Sequence, residues 1–303
     1  MLSSAVQRLI QFDKIAVLTD LGPDTDKMLR YSAALSRWYG AKLLLVHAAT
    51  PELPLYVPPE PLPVWPTSDA ESRQDAEGKL NAFILKLGLQ DLGPKVVVRE
   101  EGMLPLLNEL EQYHPNLLVL ATHGREGIKK WLIGSVTEEV FRRVQWPVLV
   151  LGPHLDAAHA AQHQLRTVLY ATDLSGVSVS ALQYAAGIAY DQEAQLMALH
   201  VEHDPSQDYT FDQVMAMQKL EDWLHDRIDG LSETLVRVHC LVEFGKAAAI
   251  ISNTADCNNA DLIVLGARGI GAAAIAASHF LGGTAYDVIC AAKCPVLIVP
   301  RPH

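Results

Sequence analysis

The sequence has few cysteines, fewer basic than acidic residues and only short apolar runs, and each shortage argues against a class of protein. Four cysteines in 303 residues are too few for an extracellular disulfide framework, and we interpret them as reduced thiols. The 24 Lys and Arg against 35 Asp and Glu give a net charge of −11, which argues against nucleic acid as the main partner. No apolar run reaches the roughly 20 residues that a membrane span requires.

Motifs for targeting and for two common kinds of catalysis are also missing. The chain contains neither a Gly-x4-Gly-Lys-Ser/Thr phosphate loop nor a Gly-x-Ser-x-Gly nucleophile elbow, which disfavours a P-loop ATPase and an elbow-type hydrolase. Arg8 interrupts the short apolar stretch within residues 1–14, and no small-residue cleavage site follows. We therefore expect no signal peptide and a cytoplasmic protein. We assign no catalytic residue and no metal ligand.

An internal repeat divides the chain into two halves. Residues 14–20 match 167–173, and residues 42–47 match 195–200, both at an offset of 153. Residues 116–137 match 259–285, and the spacing from Gly134 to Pro147 equals that from Gly282 to Pro295. The two halves are therefore expected to share one fold.

Each copy of the third repeated segment reads as a buried strand, a glycine-bearing loop and the start of a helix. In the first copy the apolar run 117–120 precedes Gly124, Gly134 and Ser135, which is a plausible helix N-cap. Unpaired main-chain N–H groups and the positive end of a helix dipole bind anions at such a position. Glycines that only make turns would give the same short pattern, but its recurrence in the second half favours an anion site.

Alternating strand and helix patterns in both halves predict parallel sheets with helices on both faces. The strand pattern stops at 153–164, which we interpret as a linker between domains at 1–152 and 165–303. Residues 50–68 are too rich in proline for a helix or a central strand. This insertion is either a lid or partner-binding surface or an inert crossover loop.

An aspartate follows the first predicted strand of each half. Asp20 and Asp173 are expected at the carboxyl ends of these strands, beside the glycine loops, because ligands of open parallel sheets bind there. A carboxylate at this place accepts hydrogen bonds from ribose hydroxyls or an adenine amine. Alternatively, each Asp caps the helix that follows.

The order of these features resembles the universal stress protein family, present twice. The shared features are the strand followed by Asp, the strand ending in Val-His at 46–47, the run Asp-Leu-Ile-Val-Leu-Gly at 261–266, the glycine loop and Pro-Val-Leu-Val at 147–150. The resemblance implies two tandem Rossmann-like domains of the adenine nucleotide alpha-hydrolase type. Each would hold a five-stranded parallel sheet of order 3-2-1-4-5. It also implies pairing of residues 147–151 with 295–299 within one chain, as an internal pseudo-dimer.

The resemblance implies adenine-nucleotide sites as well, because many members bind ATP through Gly-x2-Gly-x9-Gly-Ser/Thr. The first half matches this motif except that alanine stands at the first glycine. The implied site residues there are Asp20, Val46, Ala121, His123, Gly124, Arg125, Gly134, Ser135 and Val136. In the second half they are Asp173, Gly266, Gly269, Gly282, Gly283 and Thr284.

The second copy departs further from the motif. Twelve residues separate Gly269 from Gly282, and Gly283 stands where the first copy has Ser135, so Thr284 would have to substitute. Residues 153–303 hold 8 basic and 17 acidic residues, a net charge of −9, whereas 1–152 hold 16 and 18, a net charge of −2. A triphosphate would meet an unfavourable field in the second half. We expect the first domain to be the main nucleotide site.

Three hypotheses follow for the function. The first is an ATP-binding stress-response module, with or without magnesium, that passes its nucleotide state to a protein partner. The second is a nucleotide-free scaffold for a protein or an apolar ligand, which Ala121 and the altered second loop favour. The third is a slow nucleotide hydrolase. Association of two chains is left open.

Overall fold

The computed structural model describes residues 8–48, 69–99, 103–122, 140–141, 143–155, 164–202, 209–228, 238–267 and 283–301. The Pro-rich segment 50–68 and most of the predicted linker, 156–163, lie outside these residues. The predicted domain boundaries therefore remain predictions. Among the described residues, no helix has the length and apolar character that crossing a membrane would require.

The first half alternates strands with helices, as the sequence predicts. Its elements are β1 (Lys14–Leu18), α1 (Thr25–Tyr39), β2 (Lys42–Ala48), α2 (Asp69–Leu87), β3 (Lys95–Arg99), α3 (Met103–Tyr113), β4 (Leu117–Ala121) and β5 (Val148–Leu151). A short 3-10 helix, Gln90–Leu92, precedes β3. Residues 140, 141 and 143 are helical and precede β5.

The second half repeats this order. Its elements are β6 (Thr167–Thr172), α4 (Ser178–Asp191), β7 (Gln195–Glu202), α5 (Tyr209–Ile228), β8 (Val238–Phe244), α6 (Ala247–Cys257), β9 (Leu262–Gly266), α7 (Gly283–Ala291) and β10 (Val296–Val299). The predicted α/β class is thereby confirmed.

Apolar runs form the strands because the central strands are covered on both faces. Successive side chains of β4 enter two different cores, with Leu117 and Val119 on one side of the sheet and Leu118 and Leu120 on the other. A half-exposed strand would alternate polar and apolar residues instead. Helix α1 ends at Gly40, whose φ of 71° is left-handed, a conformation that glycine adopts at little cost.

The ten strands of the described residues belong to one sheet, in the order β3-β2-β1-β4-β5-β10-β9-β6-β7-β8. Each half has the order 3-2-1-4-5 when its strands are numbered from its own first strand. The predicted fold differs in one respect, because the two five-stranded sheets form one continuous sheet. The joint is the antiparallel pair β5 and β10, in which Leu149 lies opposite Leu297. This pairing agrees with the expected contact between 147–151 and 295–299.

The antiparallel joint places the carboxyl ends of the two sets of strands at opposite edges of the sheet. We call the edge with the carboxyl ends of β1 to β5 the first edge, and the opposite one, with those of β6 to β10, the second edge. Asp20 follows β1 at the first edge and Asp173 follows β6 at the second. The two sites implied by the repeat are therefore separate sites.

The segment before β1 connects the two halves on one face of the sheet. The Asp191 carboxylate at the end of α4 accepts the Leu9 and Ile10 N–H groups at 2.8 and 3.0 Å. Phe12 lies edge-on to Tyr39 of α1 and stacks on Tyr184 of α4. Contacts on this face thus supplement the strand joint in holding the halves together.

Candidate functional site

The turns after β1 and β6 have the same construction. In each turn the hydroxyl of a threonine accepts the N–H of the leucine two residues later, at 3.0 Å, as Leu21 donates to Thr19 and Leu174 to Thr172. Both leucines are left-handed, with φ of 60° and 59°. This conformation is costly for a residue with a side chain and clusters at ligand-binding turns. Its presence in both copies marks these turns as candidate sites.

The aspartates lie inside these turns and shape them. Asp20 Oδ1 accepts the Gly22 N–H at 2.8 Å, and Asp173 Oδ1 accepts the Ser175 N–H at 3.1 Å. The N-caps of the following helices are Asp24 and Val177. The alternative that each Asp caps the next helix is therefore not the arrangement seen.

The two aspartates differ in their surroundings. Asp20 is exposed at the first edge, whereas Asp173 is half-buried. Ser178, the first residue of α4, donates its hydroxyl to Asp173 Oδ1 at 2.7 Å and lies 3.2 Å from the Ser175 hydroxyl. The second-half carboxylate is consequently part of a local network of hydroxyl groups.

Histidines at the ends of the second strands support the same turns. His47 Nδ1 lies 2.8 Å from the Thr19 carbonyl oxygen, and His200 Nδ1 lies 2.9 Å from that of Thr172. A carbonyl oxygen only accepts, so Nδ1 carries the proton and donates in both copies. Sequence reasoning did not assign these histidines a role, although their equivalent places in the repeat were a signal for one.

The second half adds a charged network to this histidine. His200 Nε2 lies 3.1 Å from Glu202 Oε1, which also accepts from the Lys219 ammonium group of α5 at 3.0 Å. Hydrogen bonding to His200, and then to Lys219, holds the pKa of Glu202 below its usual 4.5. At the offset of the repeat, the residue equivalent to Glu202 is Ala49. The network is a property of the second half.

The sheet brings the predicted residues of each half to one place. Strand β1 lies between β2 and β4, with Leu18 opposite both Val46 and Leu120. The turn with Asp20 and the end of β4 at Ala121 are thus neighbours at the point where strand order reverses. Strands β6 and β9 meet in the same way. Such switch points are where open parallel sheets bind ligands.

The remaining predicted residues of the first half are only partly placed. Val46 is fully buried, and its carbonyl accepts the Thr19 N–H at 2.9 Å, so any contact with a ligand would come from its main chain. Ala121 is half-buried at the end of β4. The next residue, Thr122, has a buried hydroxyl without a hydrogen-bond partner among the described residues. The other predicted residues, His123, Gly124, Arg125, Gly134, Ser135 and Val136, lie outside the described residues.

In the second half, Gly266 ends β9 and pairs with Val299 of β10. Gly283 and Thr284 are the first two residues of α7, and both are exposed. They occupy the amino end of a helix, where N–H groups attract anions. Gly269 and Gly282 lie outside the described residues. Within the described part of the chain, no group of three His, Cys, Asp or Glu side chains is arranged to hold a metal ion.

Comparison with protein-family models gives two matches, both to the universal stress protein family, at residues 11–152 and 164–300. A universal stress protein of Mycobacterium tuberculosis is 27% identical over 312 residues, which cover 94% of this chain and 96% of the relative. A universal stress protein of Thermus aquaticus is 34% identical over 138 residues, 44% of this chain and 98% of the relative. One relative thus spans both halves and the other only one.

Solved structures share the whole fold. A universal stress protein from Archaeoglobus fulgidus superposes with a TM-score of 0.69 at 22% identity, covering 96% of this chain and 97% of that one. A putative universal stress protein from Pseudomonas aeruginosa gives a TM-score of 0.64 at 16% identity, covering 96% and 94%. At sequence identities of 22% and 16%, these superpositions support the tandem fold alone.

Proposed function

The chain belongs to the universal stress protein family and carries two of its domains; on this premise we propose that it is a stress-response module that binds ATP or a related adenine nucleotide. The nucleotide lies mainly in the first half, at the first edge. The observation that carries this proposal is the exposed Asp20 in a strained turn, beside the end of β4 at the switch point of the sheet.

The geometry of this place suits a nucleoside. An exposed carboxylate fixed by the Gly22 N–H accepts hydrogen bonds from ribose hydroxyls or an adenine amine. The phosphates would then extend toward residues 124–135, where the sequence predicts a glycine loop and a helix amino end. Arg125 adds a positive charge to that segment, and magnesium would accompany ATP.

Differences between the halves support the first as the main site. Asp173 is half-buried and already accepts the Ser178 hydroxyl, so a ligand would have to compete with that bond. The second half also bears −9 of the chain's net charge of −11, which opposes a triphosphate. We therefore propose one nucleotide per chain.

The proposed role is to bind the nucleotide and to signal its state. Slow hydrolysis of the nucleotide is a further candidate, the third of the hypotheses from the sequence. A general base aimed at a phosphate is not assigned in the described residues, and efficient phosphoryl transfer depends on such positioning. The nucleotide state would then be passed to a protein partner through the edge that binds it.

A second candidate function is that of a scaffold without nucleotide, and one observation favours it. Helix α5 begins with four large apolar side chains that are 47 to 62% exposed, namely Tyr209, Phe211, Val214 and Met215. Exposed apolar clusters of this kind are typical of contact surfaces. A scaffold would use this surface without any response to ATP.

Calorimetric titration of ATP with magnesium into nucleotide-free protein separates these candidates. The test variant is Asp20→Asn, which keeps an oxygen for the Gly22 N–H but removes the charge, and the matched control is Asp173→Asn. We expect one site per chain, with affinity reduced about tenfold or more by Asp20→Asn, since a hydrogen bond to a charged group contributes about 1.5 to 3 kcal/mol. Asp173→Asn is expected to bind as the wild type does.

Two results would contradict the proposal. Two equivalent sites, each lost with its own aspartate, would show that the second half binds equally well. Absence of heat and of any thermal-shift response would favour the scaffold. A Gly124→Val/Ser135→Ala variant provides an independent check, because it alters the predicted phosphate loop and leaves Asp20 in place.

A further inference from the structure

The first turns of α5 present an apolar surface to the solvent. It consists of Tyr209, Phe211, Val214 and Met215, whose exposed fractions are 47%, 59%, 62% and 53%. The Tyr209 ring packs against the ring of Phe244 at the end of β8, with the centroids 5.0 Å apart. We call the four α5 residues the apolar patch. Exposed clusters of this kind typically mark a contact surface.

The same place in the first half is polar. An offset of 140 aligns α2 with α5, since it matches their buried apolar positions, namely 76, 80 and 84 with 216, 220 and 224. At this offset the positions of the apolar patch correspond to residues with polar side chains, namely Asp69, Glu71, Gln74 and Asp75. The fold that the two halves share therefore does not require apolar side chains there, so a contact outside the domain accounts for them.

The halves also differ in the segment that precedes this helix. Twenty residues, 49–68, separate β2 from α2, whereas six, 203–208, separate β7 from α5. Residues 51–66 contain seven prolines, which form three Pro-x-x-Pro sequences, together with leucine, valine, tyrosine and tryptophan. Such sequences favour the polyproline II conformation, which repeats every three residues and docks on surfaces lined by aromatic side chains. The first half thus has the Pro-rich segment and the second half has the apolar patch.

The Pro-rich segment is too short to reach the apolar patch of its own chain. It starts after β2 and ends at α2, which leads back to the parallel strand β3, so both its ends lie at the first edge. The patch follows β7, at the second edge and seven strands away. Seven steps of about 4.8 Å give about 34 Å, and passing from one edge to the other adds about 17 Å along the strands. Twenty residues that run out and back reach about 36 Å at most.

We propose that two copies of this chain associate, with the Pro-rich segment of each copy lying on the apolar patch of the other. Prolines and apolar side chains of the segment pack on the exposed rings of the patch, and the flexible Met215 side chain fills the space between them. A two-fold arrangement forms this contact twice and uses both segments and both patches, so the assembly closes as a dimer. The contact does not involve Asp20, so it is independent of the proposed nucleotide site.

The test is sedimentation velocity of the full chain over a range of concentrations. The patch variant is Val214→Glu/Met215→Glu. Its matched control is Leu85→Glu, which places the same charge at an apolar side chain of α2 that is 69% exposed and lies outside the patch. The segment variant replaces residues 51–66 with a Gly-Ser linker of equal length, and Trp65→Ser is a milder change in the same segment. Thermal unfolding of each variant checks that the fold is intact.

We expect the wild type and Leu85→Glu to form dimers. The dissociation constant of the dimer is expected to rise about tenfold or more in the patch variant, the segment variant and Trp65→Ser, because a few large apolar side chains dominate the binding free energy of an interface.

Mixing the patch variant with the segment variant is expected to restore association, since the intact segment of one chain meets the intact patch of the other. A monomeric wild type would overturn the proposal. So would a segment variant that associates as tightly as the wild type, which is the result expected if patches paired with each other. A mixture of the two variants that stays monomeric would also overturn it.

Discussion

Gly152, at the end of β5, lies against the carbonyl oxygen of Ile289 in α7. A Cβ atom at position 152 would lie 2.6 Å from that oxygen and 3.6 Å from the Ala292 oxygen. The two halves therefore touch main chain to main chain beside the joint of β5 and β10. Only a residue without a side chain permits this approach.

We expect Gly152→Ala to lower the free energy of unfolding by about 1 to 3 kcal/mol, because neither main-chain atom can move aside without shifting a helix. Urea unfolding followed by circular dichroism measures the change. Gly176→Ala is the matched control, since a Cβ there meets nothing within 4 Å, and its effect is expected to stay within about 0.5 kcal/mol. Equal stability of the two variants would contradict the close contact.

Asp261 anchors the start of β6, as Asn116 anchors the start of β1. The buried Asp261 carboxylate accepts the Arg166 and Thr167 N–H groups at 2.6 and 2.9 Å, and Asn116 accepts those of Asp13 and Lys14. Asp261→Ala is expected to cost about 1 to 3 kcal/mol, because two N–H groups lose their acceptor. Asp261→Asn should restore most of this stability in the same urea titration. If Asp261→Asn were as unstable as Asp261→Ala, the loss of stability would come from removing the negative charge and not from the lost hydrogen bonds.

The cysteines should differ in reactivity. Burial, and then the charges of Asp261 and Asp256, raise the pKa of the Cys294 thiol to about 12, so its nucleophilic thiolate is scarce near neutral pH. Cys257 is exposed. Iodoacetamide near neutral pH is therefore expected to label Cys257 and to leave Cys294 unmodified until the protein is unfolded, as peptide mass spectrometry can measure. Cys257→Ser is the control, and labelling of folded Cys294 at the rate of Cys257 would contradict its burial.

Glu202 should contribute to stability in a pH-dependent way. Its pKa is lowered on folding by His200 and then Lys219, so its contribution is present above the unfolded pKa near 4.5 and is lost as the pH falls through the folded value. Glu202→Gln is expected to flatten the loss of unfolding free energy below pH 4.5. Glu243→Gln, at an exposed position of β8, serves as the control. If the unfolding free energies of wild type and Glu202→Gln fell equally steeply below pH 4.5, the hydrogen bonds would not lower the pKa of the Glu202 carboxyl group.

Much of the fold was predictable from the sequence, because repeated local patterns specify local structure. The predicted alternation of strands and helices in both halves agrees with the structure, and the end of α1 at Gly40 follows from glycine's tolerance of positive φ. The repeat also predicted that equivalent strands would occupy equivalent places. Residues 124–135 of the predicted phosphate loop lie outside the described residues, so that part of the site remains a prediction.

Other features of the candidate site depend on contacts between distant segments. The bond from His47 to the Thr19 carbonyl joins residues 28 apart, and the network of His200, Glu202 and Lys219 joins β7 to α5. No local pattern encodes such pairs, because the partner of a side chain is fixed only when the strands and helices pack. The sequence likewise did not decide whether Asp20 and Asp173 cap the following helices or bind a ligand.

The repeat, the alternation of strands and helices and the family could all be recognised in the sequence, because local hydrophobic patterns, glycine positions and spacing specify them. The resemblance implied that 147–151 pairs with 295–299, but the antiparallel direction of β5 and β10 is seen only in the folded chain. This direction makes one sheet and places the two candidate sites at opposite edges. Packing likewise brings Lys293 to the end of α6, where its ammonium group forms an ion pair with Asp256. The physical reason is that hydrogen bonds and ion pairs between distant segments depend on the packed arrangement of both halves.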